Sequence, residues 1–168
     1  MSPSKSTRPE INTAQEAAND DLVLAFGHLQ GAANRLAYVL GRALEEGCGV
    51  SHLVFEVLMI VGRAGPEGLP MRSIAQERVL STGGATRLVD RMEAAGLVTR
   101  TADAEDRRGI RVRLTPAGEK TAVRAARLHV ENVRRFLLEP LPDPHRDQFV
   151  EDLRTLSHTA RDALPRLK

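Results

Sequence analysis

The residues best equipped for chemistry in this sequence are its arginines. Of the 24 basic residues only Lys5, Lys120 and Lys168 are lysine. The guanidinium group is a planar fork of donors that matches phosphate oxygens and the guanine edge. A GC-rich genome also produces chains rich in Arg, Ala, Gly and Pro, so distribution carries more than number. Residues 97 to 127 hold Arg100, Arg107, Arg108, Arg111, Arg113, Lys120, Arg124 and Arg127 against Asp103, Glu105, Asp106 and Glu119. The stretch from 10 to 50 has the opposite balance, Arg35 and Arg42 against Glu10, Glu16, Asp20, Asp21, Glu45 and Glu46. Cations gathered in one half of a chain with net charge +2 are the footprint of a polyanion-binding surface. A solvated charged hairpin would account for the same residues.

A second set stands just before that basic half. Ser81 or Thr82 is a good N-cap, and Gly83, Gly84, Ala85, Thr86 and Arg87 would open the helix behind it. Small residues let a helix entry come close to a groove floor, where free N–H groups and the positive dipole end favour phosphate. Thr86 and Arg87 are placed to reach base edges, Arg87 being suited to guanine, with Arg91 one turn further on. Arg72 and Ser73, at the start of a shorter preceding helix, are placed for backbone contacts. Asp106 and Arg108 lie two apart in a polar turn, where a carboxylate can hold a guanidinium extended toward a minor groove. An ordinary surface ion pair, of little consequence for stability, is the competing account.

Other chemistries lack their residues. His28, His52, His129, His145 and His158 are scattered, and one cysteine permits neither an intramolecular disulfide nor a cysteine-based zinc site. Gly83 and Gly84 follow no strand and precede no lysine, so they are not a phosphate-cradling loop. No nucleophile-and-base motif is present, and the expectation is a protein that is not an enzyme and needs no cofactor. Cys48 leaves a thiol redox sensor as one alternative. The opening residues lack the apolar stretch of a signal peptide and no run approaches a membrane span, so a soluble cytoplasmic (nucleoid-associated) protein is expected.

The elements that must position these residues follow from periodicity. Residues 1–12 read as a mobile tail. The capping-box pair Thr13 and Glu16 opens a helix expected to run to about Glu46, with Leu22, Phe26, Leu29, Ala33, Leu36, Leu40 and Ala43 at steps of four and three. That is the seam of a helix packed lengthwise on another, and it is longer than so small a globule can cover. Ser51 caps a helix that is apolar on nearly every side and so belongs in the centre of a domain. A short helix from Met71 to Glu77, with Ile74 and Ala75 inward, precedes the one from Thr82 to Gly96, whose inner stripe is Leu88, Met92 and Ala95. Beyond Gly96 the period changes to that of strands: residues 97–101, a polar turn, then 110–115 with Ile110, Val112 and Leu114 inward and Arg111 and Arg113 outward. Thr115 and Pro116 start a long helix with Val123, Ala126, Val130, Val133 and Leu137 on its face. Pro140, Pro142 and Pro144 end it, and Asp143 caps a last helix carrying Phe149, Leu153, Leu156, Ala160 and Leu164. With aromatics at only 3%, the core must come from Leu, Val, Ile and Ala, which suits packed helices.

The fold class expected is therefore mainly α: a winged helix-turn-helix with a small β-hairpin wing. Residues 51–115 form the reading domain, and 13–50 with 116–168 a helical dimerisation region. The stretch from Arg72 to Lys120 resembles the MarR (multiple antibiotic resistance regulator) family of winged-helix regulators. Leu80 to Arg87, Asp90 to Val98, and Asp106–Arg107–Arg108 ahead of Leu114–Thr115 and Gly118 carry the likeness. The resemblance implies a homodimer with interlocked first and last helices, bound to double-stranded DNA through a recognition helix at 82–95 and a wing whose Arg108 probes the minor groove. It implies repression relieved by a small aromatic or anionic effector, with His28, His52 and Arg63 on helices that line the effector pocket in relatives. A winged-helix module that binds protein rather than DNA is the alternative from another class.

Overall fold

A computed structural model of the protein describes residues 10–77, 81–103 and 109–164. The chain divides after Tyr38 into two compact units. In the first, Thr13 caps helix α1 (Ala14–Ala18). Its hydroxyl accepts from the Glu16 N–H, while the Glu16 carboxylate accepts from the N–H groups of Asn12 and Thr13 at 2.9 Å each. These donors, Asn12 first, hold the Glu16 carboxyl below its ordinary value. The single helix expected from Thr13 is in fact two. Asn19 closes α1 with its side-chain amide on the Gln15 carbonyl, and the Asp20 carboxylate then accepts from Leu22 and Val23 N–H to start α2 (Asp21–Cys48). An Asx residue bonding forward to the backbone is a fresh N-cap, and it outcompetes continuation of the previous helix. Among the described residues none before Leu40 is buried; Leu22, Phe26 and Leu29 of the expected seam are 54%, 62% and 45% exposed.

In the second unit, α3 (His52–Arg63) is the central helix foreseen. Ser51 caps it, and Phe55, Val57, Leu58 and Val61 are buried. Helices α4 (Met71–Glu77) and α5 (Thr82–Ala94) follow, then strands β2 (Val98–Ala102) and β3 (Ile110–Leu114). The wing is not the two-stranded hairpin expected: Leu69–Pro70 adds a third strand, β1, on the far side of β3, giving the antiparallel order β1-β3-β2. Two residues ending in proline carry no strand periodicity, and an edge is where a sheet accepts proline. Helix α6 (Pro116–Val133) passes into a π turn over Arg134–Leu138, and α7 (Arg146–Asp162) ends the described chain.

The main core joins α3, α4, α5, the sheet and α6 through Val57, Leu58, Val61, Ile74, Leu88, Val89, Met92, Val98, Val112 and Ala122. A second cluster holds Leu44 and Cys48 of α2 against Val50, Phe55 and Ala125. Several expected inward positions shift. On α5, Leu88 and Met92 are buried as expected, but Ala85 and Val89 join them and Ala95, at the helix end, is exposed. On β3, Val112 is buried, Leu114 half-buried and Ile110 43% exposed, because Ile110 stands past the edge of the core. On α6 the buried residues are Gly118, Ala122 and Ala125, while Val123 and Val130 face outward at 47% and 56% exposure. Ala122 and Ala125 pack into the two core clusters, and Gly118 meets the backbone of the α5–β2 connection. Helix α7 buries no residue.

Gly118 marks that close approach. Thr115 donates its N–H to the Leu97 carbonyl, its hydroxyl bonds the Gly96 carbonyl, and it caps α6 through the Gly118 N–H. A Cβ on Gly118 would lie 1.8 Å from the Leu97 oxygen. Gly118→Ala is therefore expected to lower stability by roughly 1–3 kcal/mol, the range for overpacking against an unyielding neighbour. Urea unfolding followed by circular dichroism measures it, and an unchanged midpoint would show that α6 can slide away at no cost.

Candidate nucleic-acid interface

Helix α5 has one buried and one open side. Ala85, Leu88, Val89 and Met92 are at most 2% exposed, so rotation about the helix axis is fixed by the core. Gly83, Thr86, Arg87 and Arg91 are consequently all on the solvent side. Ser81 caps the helix, its hydroxyl accepting from the Gly84 N–H at 3.1 Å. Its oxygen is thus used in holding the entry turn, which points the next N–H groups outward. Gly84 is half-buried, as is Ser73 on α4, whereas Arg72 is exposed. The side chain of Thr82 and residues Asp106, Arg107 and Arg108 lie outside the described residues, as does the turn before Ser81.

Gly83 is not required by the protein's own packing. A Cβ there would meet only the end of the Arg87 side chain, at 4.0 Å. Gly68 is the contrast: its φ is +69°, and a Cβ would sit 2.5 Å from both the Val112 oxygen and the Arg113 side chain. Gly68 serves the wing's third strand; Gly83 leaves open space at the start of α5.

The wing cations do not all point outward as expected. Arg111 donates from Nε to the Glu67 carbonyl at 2.9 Å and from its two terminal nitrogens to the Gly68 carbonyl and to Asp103, at 3.3 and 3.2 Å. Asp103 is 8% exposed, and its N–H bonds the Gly109 carbonyl to close the wing beneath its tip. Arg111 is thereby turned into the base of the wing, tying β1 to β3. Arg113 also reaches the Glu67 carbonyl. Arg124 donates to the Cys48 carbonyl at 3.0 Å, capping α2 rather than extending the basic surface. Arg100 on β2 forks across Asp90 and Glu93 of α5 at 2.6 and 2.8 Å. Sequence reasoning counted Arg100 and Arg111 as free cations. The available signal was carboxylates in the adjoining elements, Asp90, Glu93 and Asp103, but pairing across elements depends on tertiary placement.

A cavity of about 830 Å³ opens between α3, β3 and α6, floored by Leu58, Met59, Leu114, Ala122 and Val123, with Arg63 and Arg113 at its rim. Of the residues named for an effector pocket, Arg63 lines this cavity. His28 is exposed on α2. His52 lies elsewhere, stacked with His129 at 5.9 Å between ring centroids, while His129 tilts against Phe55 at 4.5 Å. The Nδ1 atom of His129 is buried without a hydrogen-bond partner. Burial, and secondarily the charge of His52, push the His129 pKa below its ordinary value of 6.5. Cys48 is buried in the neighbouring cluster, so a redox role would require its exposure first.

Helices α4 and α5, preceded by β1 and followed by β2 and β3 of the same three-stranded sheet, define a winged helix-turn-helix protein. Residues 49–109 match the model of the MarR family. A comparison with curated proteins gives no significant match. Among solved structures the chain is similar to Sco3205, a MarR family transcriptional regulator from Streptomyces coelicolor solved in complex with DNA. There the identity is 25% and the TM-score 0.73, over 91% of this chain and 92% of that one. AbsC, a MarR family transcriptional regulator from the same organism, shares the fold at 24% identity and a TM-score of 0.72, over 92% and 99% of the chains. CouR from Rhodococcus jostii RHA1, bound to p-coumaroyl-CoA, shares it at 24% and 0.70, over 87% and 95%. No described helix is long and apolar enough to cross a membrane.

Two outcomes follow from this geometry. Gly83→Ala should leave thermal stability equal or slightly higher, since alanine favours helix over glycine by up to about 1 kcal/mol, yet weaken binding to duplex DNA. Equal binding by both proteins in an anisotropy titration would remove Gly83 from the interface. For His129 the sign is set by a lowered folded pKa: the unfolded chain binds the proton more readily. Its contribution is complete above pH 6.5, the unfolded value, and is lost as pH falls below it toward the folded value. Urea midpoints at pH 7.5 and 5.5 should therefore separate more for wild type than for His129→Leu.

Proposed function

We propose that the chain is a sequence-specific, double-stranded DNA-binding transcriptional regulator that works as a homodimer. The observation that carries the proposal is the outer face of α5. It presents Gly83, Thr86, Arg87 and Arg91 to solvent on a helix whose opposite face is locked in the core. In this reading α5 enters the major groove, Arg72 and Ser73 contact backbone, and Ser81 and Thr82 bring the helix entry and Gly84 to phosphate. Asp106 steadies Arg108 for the minor groove while Arg107 adds phosphate attraction.

The homodimer is supported by apolar residues left exposed on α2 and α6, on α7 and just beyond its end. Phe26 on α2 is 62% exposed, and Val130, Leu156 and Leu164 are each more than half exposed. A second copy would cover them and set two α5 helices about one helical turn of DNA apart. The complex of Sco3205 with DNA supports the nucleic-acid reading. An effector that is aromatic or anionic fits the cavity beside Arg63 and Arg113, whose size lies in the range of small-molecule sites. The ligand on CouR, an acyl-CoA, is of that kind. We take repression relieved by such an effector as the mode of action.

The first test titrates the purified protein against a labelled duplex of its own upstream DNA, at two salt concentrations with random competitor. Binding that survives competitor and weakens steeply with salt is expected. A protein partner captured without any DNA binding would favour the protein-interaction module instead. Arg108→Ala should weaken binding across sequences by a similar factor, whereas Arg87→Ala should also relax preference at particular base pairs, by about 1–3 kcal/mol for a bidentate contact. Wild-type behaviour from both variants would overturn the assignment of these two residues.

A further inference from the structure

The cation that grips α5 most closely is Arg100, and every donor the structure assigns it is spent inside the protein. On β2, an edge strand of the sheet, its backbone N–H donates to Glu93 Oε1 at 3.1 Å. Its guanidinium donates to Glu93 Oε2 at 2.8 Å, pairs with Asp90 Oδ1 at 2.6 Å, and reaches the Thr86 carbonyl at 3.4 Å. One side chain thus holds α5 at Thr86, Asp90 and Glu93, across two turns of the helix. The Arg100 side chain is only 22% exposed, while those of Asp90 and Glu93 are 53% and 38% exposed. A partly desolvated fork across two carboxylates is directional in a way a surface ion pair is not.

The core does not do this work alone. Ala85, Leu88, Val89 and Met92 fix which face of α5 is buried, yet apolar packing resists sliding and tilting only through shape. The Arg100 fork adds direction, and its contact on Thr86 is next to Arg87 on the outward face. We propose that Arg100 is a positioning residue for DNA reading: it sets α5 at a fixed angle to the wing so that the two enter their grooves together. This rests on the DNA-binding reading above. Its sequence-level guise, one more cation in a basic stretch, suggests the opposite role of a phosphate contact.

The two roles separate experimentally. Wild type first enriches a duplex from a random library; Arg100→Gln, Arg100→Lys and Asp90→Asn are then titrated against that duplex and a random one over a salt series, with thermal midpoints recorded. The positioning role predicts that all three stay folded and lose about tenfold or more on the selected duplex, the size of losing one base pair of discrimination. Random-duplex binding and the salt slope should stay near wild type. Arg100→Lys keeps the charge but cannot fork, so it should not rescue. Asp90→Asn is the sharpest case, because removing a carboxylate beside the interface should tighten all DNA binding unless the angle of α5 matters. A salt slope reduced by about one in Arg100→Gln, with equal losses on both duplexes and rescue by lysine, would make Arg100 a phosphate contact and overturn the proposal. Wild-type affinities in all three variants would overturn it too. A library from which wild type enriches nothing would instead sink the DNA-binding reading, and this proposal with it.

Discussion

The fold turns on one constraint: a thirteen-residue helix, α5, cannot be stable alone and is held by burying a single stripe. Ala85, Leu88, Val89 and Met92 occupy that stripe at essentially zero exposure, the last three against Val57, Leu58, Val61, Ile74, Val98 and Val112. Because the helical period is fixed, burying those positions forces Gly83, Thr86, Arg87 and Arg91 outward. The outward face of α5 is the geometric remainder of the core. Anything that loosens the core therefore also blurs the direction in which Arg87 points.

The polar devices around α5 answer what apolar packing leaves undetermined. Ser81 fixes where the helix begins, and the Gly96–Leu97 connection, bonded by Thr115, fixes where it ends. Arg100 ties its flank to β2, and Arg111 ties β3 to β1 and to Asp103 at the root of the wing. Each of these arginines is paired with carboxylates or carbonyls and is largely withdrawn from solvent, so the basic count of the wing region overstates the charge it offers to a ligand. What remains outward on α5 is a small set of residues, which suits selective reading better than a broad cationic surface would.

A contrast runs along the chain. Around α3, α4, α5 and the sheet the residues bury each other well, whereas Leu22 and Phe26 on α2, Val130 on α6 and Leu156 on α7 are each more than half exposed. Exposed apolar residues on that scale are costly in a lone protomer. The seam residues Leu22, Phe26 and Leu29 of α2 and the face residues Val123 and Val130 of α6 are solvent-facing here. Periodicity reports that a face is apolar, but it does not say which molecule covers it.

Much was legible without coordinates. The caps at Thr13, Ser51, Ser81 and Thr115, the order of helices before and after the wing, and the buried Leu88 and Met92 all follow from local chemistry: a hydroxyl with a free N–H three residues on, or an apolar residue once per turn. The outward placement of Arg87 follows as well, because it is set by its own helix. What only the tertiary structure decided involves pairs distant in sequence. The break at Asn19–Asp20 is local, yet two rival caps in one window could not be ranked by pattern. The strand Leu69–Pro70 exists only because β3 offers it an edge, and Gly118 rather than valine faces inward because the Leu97 carbonyl is there. Arg100 and Arg111 could be counted from the sequence as cations, but whether a guanidinium meets a phosphate or a carboxylate depends on what the fold brings within 3 Å of it. Local rules choose the element, and contacts across the chain choose the partner.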